Sequence, residues 1–180
     1  MKKIVLLGDS IRLIGYGKVV PEMMGEGYEV VQPSDNCAYA KYTLRHIFRE
    51  WKDLIADSDV IHWNNGLWDA IDYGDGWFSD RDEYVKNMLR IAAQLQKNAK
   101  TVIFATTTPI AVDIARNACI KEYNEILVTE LRKMGVVIND LHSLVSENIE
   151  KYICDDKTHL SEEGIKVCGE QVAKIIKEYA

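Results

Sequence analysis

The chain has 180 residues, of which 47% are hydrophobic and 28% are charged. This length and apolar content are typical of one compact domain, so we predict a single domain over residues 1–180. With a net charge of −6, the chain lacks the basic excess that binds phosphate backbones or anionic lipid. We therefore expect neither a nucleic-acid partner nor a membrane partner.

The first residues predict a strand rather than a secretion signal. Residues 4–7 form an apolar run of four, which is shorter than the roughly 7–15 residues of a signal-peptide core. The four cysteines show no C-x-x-C spacing and indicate neither a disulfide framework nor a zinc site. We therefore expect a cytoplasmic protein.

Short apolar runs alternate with longer segments of helical period, which predicts an α/β fold. The predicted strands cover residues 3–7, 28–32, 59–63, 101–105 and 136–139. All are brief and β-branched or aromatic in character, as expected for strands buried on both faces. This pattern predicts a parallel five-stranded sheet with helices on both sides.

Three segments between the strands have apolar residues three and four positions apart, which predicts one buried face on each helix. The first set is Leu44, Ile47, Phe48, Trp51, Leu54 and Ile55; the second is Tyr84, Val85, Met88, Leu89, Ala92 and Leu95; the third is Ile114, Ala118, Tyr123, Ile126, Leu127, Leu131 and Met134. Gly135 lies where a helix commonly ends in the left-handed conformation.

The last helix has the clearest predicted start. Ser161 can cap it, and Leu160 and Ile165 lie where a hydrophobic staple would close. Its predicted inner face consists of Ile165, Cys168, Val172, Ile175, Ile176 and Tyr179. The cap would fix the direction of the chain immediately after His159.

Two short segments contain the residue types of a serine nucleophile and its activating groups. Ser10 follows the first predicted strand, at the edge where open α/β sheets bind ligands. Asp156 and His159 lie just ahead of the last helix. A serine hydroxyl needs an imidazole to take its proton and a carboxylate to fix the imidazole tautomer. The alternatives are that Asp9 and Ser10 form a helix N-cap, and that Asp156 and His159 are a surface pair.

Gly-Asp-Ser after an N-terminal strand, with Asp-x-x-His near the C-terminus, resembles the SGNH (GDSL) hydrolase superfamily of esterases and lipases. The resemblance implies a three-layer α/β/α, flavodoxin-like fold with sheet order 2-1-3-4-5. It also implies that Ser10 is the nucleophile, His159 the general base and Asp156 the residue that orients His159. Asp155 is a rival for the acid, but its spacing to His159 departs from the pattern. No cofactor or metal is implied.

The resemblance further implies an oxyanion hole formed by the Ser10 N–H, an asparagine amide and a second backbone N–H. Asn64 is favoured for the amide because it lies nearest the end of the third strand, with Asn65 second. The match is inexact, because aligning Gly66 leaves Trp68 at the asparagine position. The alternative is that the two asparagines simply form a turn.

The second block of the superfamily supplies a glycine N–H to the oxyanion hole, but residues 36–43 contain no glycine. Counting from Asn36 places Lys41 at the glycine position. A backbone N–H needs no particular side chain, so the Lys41 N–H is the predicted third donor.

The substrate is expected to be a small-molecule or carbohydrate ester. The loop over residues 68–82 combines Trp68, Tyr73, Trp77 and Phe78 with Asp69, Asp72 and Asp75. Aromatic rings stack on sugars and carboxylates accept hydroxyl hydrogen bonds, which favours a short acyl group, such as acetyl, on a carbohydrate. Packing or a dimer contact is the alternative for the aromatics. The predicted substrate-binding residues are Asp9, Asn65, Gly66, Trp68 and Thr107.

Several alternatives to this esterase stay open. The superfamily also includes lysophospholipases and thioesterases, and an acyltransferase would use an alcohol in place of water. A non-catalytic carbohydrate-binding module on a degenerate hydrolase fold is the alternative from another class. The remaining histidines, His46, His62 and His142, are interpreted as structural.

Overall fold

In a computed structural model, which describes residues 1–180, five strands form one parallel sheet. The strands are β1 (Lys2–Leu7), β2 (Tyr28–Val31), β3 (Ser58–Trp63), β4 (Ala99–Ala105) and β5 (Val137–Asn139). They lie in the order β2-β1-β3-β4-β5, and every neighbouring pair is parallel. The predicted sheet order is confirmed, and the predicted strand ends differ from these by one or two residues.

Helices connect the strands and cover the sheet. A π-helical turn (Ile11–Gly15) and a 3₁₀ turn (Tyr16–Lys18) follow β1 directly. The α-helices are α1 (Val20–Met24), α2 (Ala40–Ile47), α3 (Lys52–Ile55), α4 (Arg81–Leu95), α5 (Ile114–Lys133), α6 (Leu141–Ser146), α7 (Ile149–Tyr152) and α8 (Glu162–Tyr179). Helix α4 contacts α2 and α5, whereas α8 contacts α1, α6 and α7. None of the helices is long and apolar enough to cross a membrane.

Strand β1 contains an unbroken apolar run because it lies in the core of the protein. Residues Ile4, Val5, Leu6 and Leu7 have no exposed surface, because β1 lies inside the sheet with helices on both faces. The hydrophobic cluster of 43 buried residues extends from β1 to α8. The carboxyl ends of the central strands β1 and β3 therefore open onto one edge of a rigid scaffold.

The helix predicted through residues 44–55 is interrupted. Helix α2 ends at Ile47, and the N–H of Trp51 reaches back five residues to the carbonyl of His46. This turn brings the Trp51 ring to 4.8 Å from the His46 ring, and it leaves Phe48 48% exposed. The prediction that Phe48 belongs to the buried face was wrong.

Helix α5 differs from its predicted face at its beginning. Ile114 is 91% exposed and Ala118 is also exposed, whereas Cys119 and Ile120 are buried. The apolar residues in the first turn of α5 thus do not face the core. At the other end, Gly135 adopts φ +79°, the left-handed conformation that was predicted to end this helix.

Helix α8 begins as predicted. Ser161 Oγ accepts a hydrogen bond from the Gly164 N–H at 3.1 Å and donates one to the Lys151 carbonyl at 2.6 Å. The cap therefore ties the segment that precedes α8 to the end of α7. This anchors the chain two residues after His159.

His62 is a buried histidine of β3, as the sequence interpretation required. Its Nε2 lies 3.0 Å from Asn139 Nδ2, and its ring meets the Tyr16 ring edge-on at 5.6 Å. Burial lowers the pKa of His62 from 6.5 to about 3. The folded protein therefore holds a neutral imidazole at pH values where an unfolded chain would be protonated.

Acidification is expected to destabilise the fold through His62. Between the unfolded and folded pKa values, only the unfolded state binds the proton, so stability falls by about 1.4 kcal/mol per pH unit as pH decreases. Urea unfolding at pH 7 and pH 5 should show a smaller loss for His62→Gln than for the wild type. The buried Asp69, whose pKa is raised to about 6 by burial, acts in the opposite direction but equally in both proteins. Equal losses would contradict the prediction.

Candidate active site

Ser10, His159 and Asp156 form one hydrogen-bonded chain. Ser10 Oγ lies 2.9 Å from His159 Nε2, and His159 Nδ1 lies 2.6 Å from Asp156 Oδ2. Both distances are within the reach of a proton transfer. The structure thus brings together the three residues that the sequence singled out, although Ser10 precedes Asp156 by 146 positions and His159 by 149.

The turn after β1 presents the Ser10 hydroxyl to the imidazole. Asp9 Oδ1 accepts the Ile11 N–H at 2.9 Å, and the Asp9 carbonyl accepts the N–H groups of Arg12 and Leu13. Ser10 itself makes no side-chain cap bond, so the capping alternative does not hold for its hydroxyl. The Ser10 N–H has no acceptor within the protein, which leaves this donor available to an oxyanion.

The loop that carries His159 holds Asp156 through several donors. Asp156 Oδ1 accepts the N–H groups of Thr158 and His159, both at 2.9 Å, and the Cys154 Sγ–H at 3.1 Å. Burial alone would raise the pKa of Asp156, but the hydrogen bonds from His159, Thr158 and Cys154 lower it below its ordinary value. Asp156 is therefore ionised at neutral pH. Asp155 is exposed and makes no side-chain hydrogen bond.

Asn64 lies beside the nucleophile because β3 is the neighbour of β1. Its N–H donates to the Leu7 carbonyl at 3.2 Å, and its Oδ1 accepts the Tyr16 hydroxyl at 2.7 Å. A Cβ atom at Gly8 would overlap Asn64 Oδ1. Only glycine at this position allows the amide to lie against the end of β1.

Asp9 is a buried carboxyl next to that amide. Burial raises its pKa, and the nearby Asn64 amide, the hydrogen bond from the Ile11 N–H and the charge of Arg12 oppose the rise. Asp9 has no exposed surface, so the prediction that it contacts substrate was wrong. Its position instead supports a structural role between the nucleophile turn and Asn64.

Arg12 crosslinks two loops of the site. It is fully buried, and its guanidinium donates to the carbonyls of Gly8, Pro33 and Asp35 at 2.7–3.0 Å. These bonds tie the Ser10 turn to the segment that leads into α2. The sequence analysis missed Arg12, since an arginine in the first turn after a strand normally indicates exposure.

The start of α2 and the residue before it carry the candidates for the third oxyanion donor. Ala38 adopts φ +47°, a conformation that favours glycine, and the Ala40 N–H donates to Asp69 Oδ2 at 3.1 Å. The N–H groups of Tyr39 and Lys41 have no acceptor within the protein. Lys41 therefore stays a prediction, with Tyr39 as a second candidate.

Three further predicted substrate contacts are internal to the protein. Asn65 has no exposed surface and donates to the Ala38 carbonyl at 3.0 Å, while Thr107 Oγ1 donates to the Asn65 carbonyl at 3.0 Å. Gly66, at φ +137°, packs so closely on Thr107 and the Tyr84 hydroxyl that a side chain would collide with both. The prediction that Asn65, Gly66 and Thr107 contact substrate is corrected: they hold the loop after β3 in place.

Trp68 begins an exposed aromatic loop. Among the predicted substrate contacts, it is the one that is exposed to solvent. The exposed fractions in this loop are 37% for Trp68, 69% for Tyr73, 36% for Trp77 and 46% for Phe78. The Tyr39 ring contacts Phe78 at 4.9 Å and joins this loop to the segment before α2.

The carboxylates of this loop have different environments. Asp69 is fully buried and accepts the Ser79 hydroxyl, so it does not face a ligand as the sequence suggested. Asp72 and Asp75 are exposed beside the aromatic rings. Asp72 Oδ1 also accepts the N–H groups of Gly74 and Gly76, which shapes the tip of the loop.

Comparison with known sequences finds a partial relative. No protein-family model matches the chain. A curated relative, the GDSL esterase/lipase WDL1 of Oryza sativa subsp. japonica, is 27% identical over 114 residues, which cover 54% of this chain and 44% of the relative. The matched region thus spans less than half of that protein.

Solved structures match nearly the whole chain. A lipolytic protein G-D-S-L family member from Veillonella parvula has a TM-score of 0.82 at 15% identity, with 98% of this chain and 99% of that chain covered. The lipase/acylhydrolase of Enterococcus faecalis has a TM-score of 0.80 at 20% identity, with 99% and 96% covered. The acetylxylan esterase Axe2 of Geobacillus stearothermophilus has a TM-score of 0.80 at 16% identity, with 96% and 93% covered. The chain therefore has the three-layer α/β/α fold of the SGNH (GDSL) hydrolases.

Proposed function

We propose that the protein is a carboxylic ester hydrolase that uses Ser10 as its nucleophile. The observation that carries this proposal is the continuous hydrogen-bonded chain from Ser10 Oγ through His159 to Asp156. Such a chain supplies both the base that activates the hydroxyl and the carboxylate that orients the base.

The reaction begins with attack of Ser10 Oγ on the ester carbonyl carbon. His159 Nε2 takes the hydroxyl proton, while Nδ1–H donates to the ionised Asp156 and stabilises the imidazolium. The tetrahedral intermediate then collapses as His159 returns the proton to the leaving alcohol, which leaves an acyl group on Ser10. Water, activated by the same imidazole, attacks this acyl-enzyme and releases the acid.

Negative charge that develops on the carbonyl oxygen needs donors in fixed positions. The Ser10 N–H and the Asn64 amide lie at adjoining strand ends, and the N–H of Lys41 or Tyr39 completes the set. Because these donors belong to the folded scaffold, they need no rearrangement as the charge appears.

The proposed substrate is a short acyl ester, such as acetyl, on a carbohydrate. The exposed rings of the loop that begins at Trp68 provide flat apolar surfaces, and Asp72 and Asp75 beside them can accept hydroxyl hydrogen bonds. The structural similarity to the acetylxylan esterase Axe2 supports the same substrate class.

Treatment with an organophosphonate is expected to add one phosphonyl group to the peptide that contains Ser10, as detected by mass spectrometry. Nitrophenyl esters from acetate upward should be hydrolysed with a preference for acetate, and acetylated xylo-oligosaccharides should release acetate. Ser10→Ala is the control for both measurements.

The outcomes separate the remaining alternatives. A folded protein that is not labelled at Ser10 would favour a non-catalytic carbohydrate-binding module and contradict the proposal. Preference for long acyl chains would indicate a lysophospholipase or thioesterase. Faster transfer of the acyl group to an added sugar or alcohol than to water would indicate an acyltransferase.

A further inference from the structure

Tyr16 is a fully buried tyrosine whose hydroxyl reaches the candidate oxyanion amide. Its O–H donates to Asn64 Oδ1 at 2.7 Å. Burial raises the pKa of Tyr16 well above its ordinary value of 10.0, so the hydroxyl keeps its proton at every working pH. The neighbour of the amide oxygen is therefore a permanent hydrogen-bond donor.

The Asn64 amide also lies near a hydrogen-bond acceptor, the carboxyl group of Asp9. The Asp9 carboxyl, which is fully buried, lies close enough to the Asn64 side chain for that amide to lower its pKa, and its Oδ2 makes no hydrogen bond within the protein. A flipped amide would place its oxygen against this carboxyl and its NH₂ group against the Tyr16 hydroxyl. Two acceptors would then face each other without water, which is unfavourable in a buried site. Tyr16 and Asp9 thus select one amide orientation.

This orientation leaves a donor for the reaction. A primary amide nitrogen carries two hydrogens, and one of them can point toward Asp9. The second hydrogen remains for an oxygen bound beside Ser10.

The position of Tyr16 is itself fixed by the segment that carries the nucleophile. The π-helical turn that follows Ser10 ends at Gly15, and the Tyr16 N–H bonds to the carbonyls of Arg12 and Ile11. The Tyr16 ring packs edge-on against His62 at an interplanar angle of 86°. One continuous segment therefore sets both the nucleophile and the hydroxyl that orients Asn64.

We infer that Tyr16 is a positioning residue, which fixes the Asn64 amide with its nitrogen toward the developing oxyanion. This inference rests on the proposed ester hydrolysis. It assigns to Tyr16 an effect on the transition state that acts entirely through Asn64.

Tyr16→Phe is expected to lower kcat about tenfold with KM nearly unchanged, because the amide remains but loses the partner that selects its orientation. Tyr123→Phe is the matched control, since Tyr123 is a buried tyrosine whose hydroxyl donates to the Ser79 carbonyl at 2.6 Å. Both variants should lose stability in thermal unfolding. Only Tyr16→Phe should have a lower kcat than the wild type.

The decisive comparison is between Asn64→Ala and the double variant Asn64→Ala/Tyr16→Phe. If Tyr16 acts through Asn64, the two proteins should have the same kcat, because no amide remains to be oriented. The double variant removes both partners of the hydrogen bond between Tyr16 and Asn64, so neither of these two groups is left unpaired. The comparison therefore holds even where Tyr16→Phe alone does not fold.

Two results would overturn the inference: a wild-type kcat in Tyr16→Phe, or an equal loss from Tyr16→Phe in the presence and absence of the Asn64 amide. Failure of the proposed function is a separate result, because it would appear as absent phosphonate labelling of Ser10 in the wild-type protein. If the phosphonate still labels Ser10 and either of the two overturning results is observed, the inference about Tyr16 fails while the proposed function stands.

Discussion

Asp156→Asn is expected to lower kcat on the order of 10⁴-fold, the loss typical of replacing the acid of a serine triad by its amide. The surroundings of Asp156 explain the size of the effect. Its Oδ1 accepts two backbone N–H groups and the Cys154 thiol, so an asparagine would place its oxygen there. Its NH₂ group would then face His159 Nδ1 and favour the tautomer that cannot take the serine proton.

The matched control for this change is Asp155→Asn. Asp155 is the neighbouring residue, has the same charge and is exposed like Asp156, but it makes no side-chain hydrogen bond. Steady-state kinetics on nitrophenyl acetate should show nearly wild-type turnover for Asp155→Asn. A larger loss at Asp155 than at Asp156 would mean that the acid has been assigned to the wrong carboxylate.

Asn64→Ala is expected to lower kcat by about 10²–10³ with little change in KM, the cost of removing one oxyanion donor. The amide lies beside the Ser10 turn, and its interactions with Tyr16 and Asp9 preorganise it. Its loss should therefore affect the transition state rather than substrate binding.

Asn65→Ala tests whether the adjacent asparagine has a different role. Its amide donates to the Ala38 carbonyl, away from Asn64 and Tyr16. We expect a lower unfolding temperature and a mild effect on kcat. Small and equal effects from both substitutions would mean that backbone N–H groups alone stabilise the oxyanion, and a large loss at Asn65 alone would exchange the two assignments.

The fold was largely predictable because its signals are local in the sequence. Unbroken apolar runs such as 4–7 mark strands covered on both faces, and the helical periods between them require crossover connections. The errors arose where packing overrode periodicity. Phe48 and Ile114 continue an apolar pattern but are exposed, because α2 ends early and the first turn of α5 does not face the core.

The candidate site was predictable to a different degree for different residues. Ser10, Asp156 and His159 lie in short segments whose position relative to a strand or a capped helix fixes their direction. The substrate contacts were not predictable in this way. Asp9, Asn65, Gly66 and Thr107 lie at the same edge of the sheet as Ser10, but neighbouring loops cover them and use their polar groups.

The sequence by itself determined the positions of the strands and the start of α8, since each depends on residues close together along the chain. Two short motifs, through their resemblance to a known superfamily, also gave the sheet order and the three residues of the hydrogen-bonded chain. Only the tertiary structure showed that Asn64 and Asn65 have different surroundings. The side chains of these two residues have different partners: Asn64 Oδ1 accepts the Tyr16 hydroxyl, and the Asn65 amide donates to the Ala38 carbonyl. Contacts between segments distant in sequence set the partners of each amide, and no local pattern encodes such contacts.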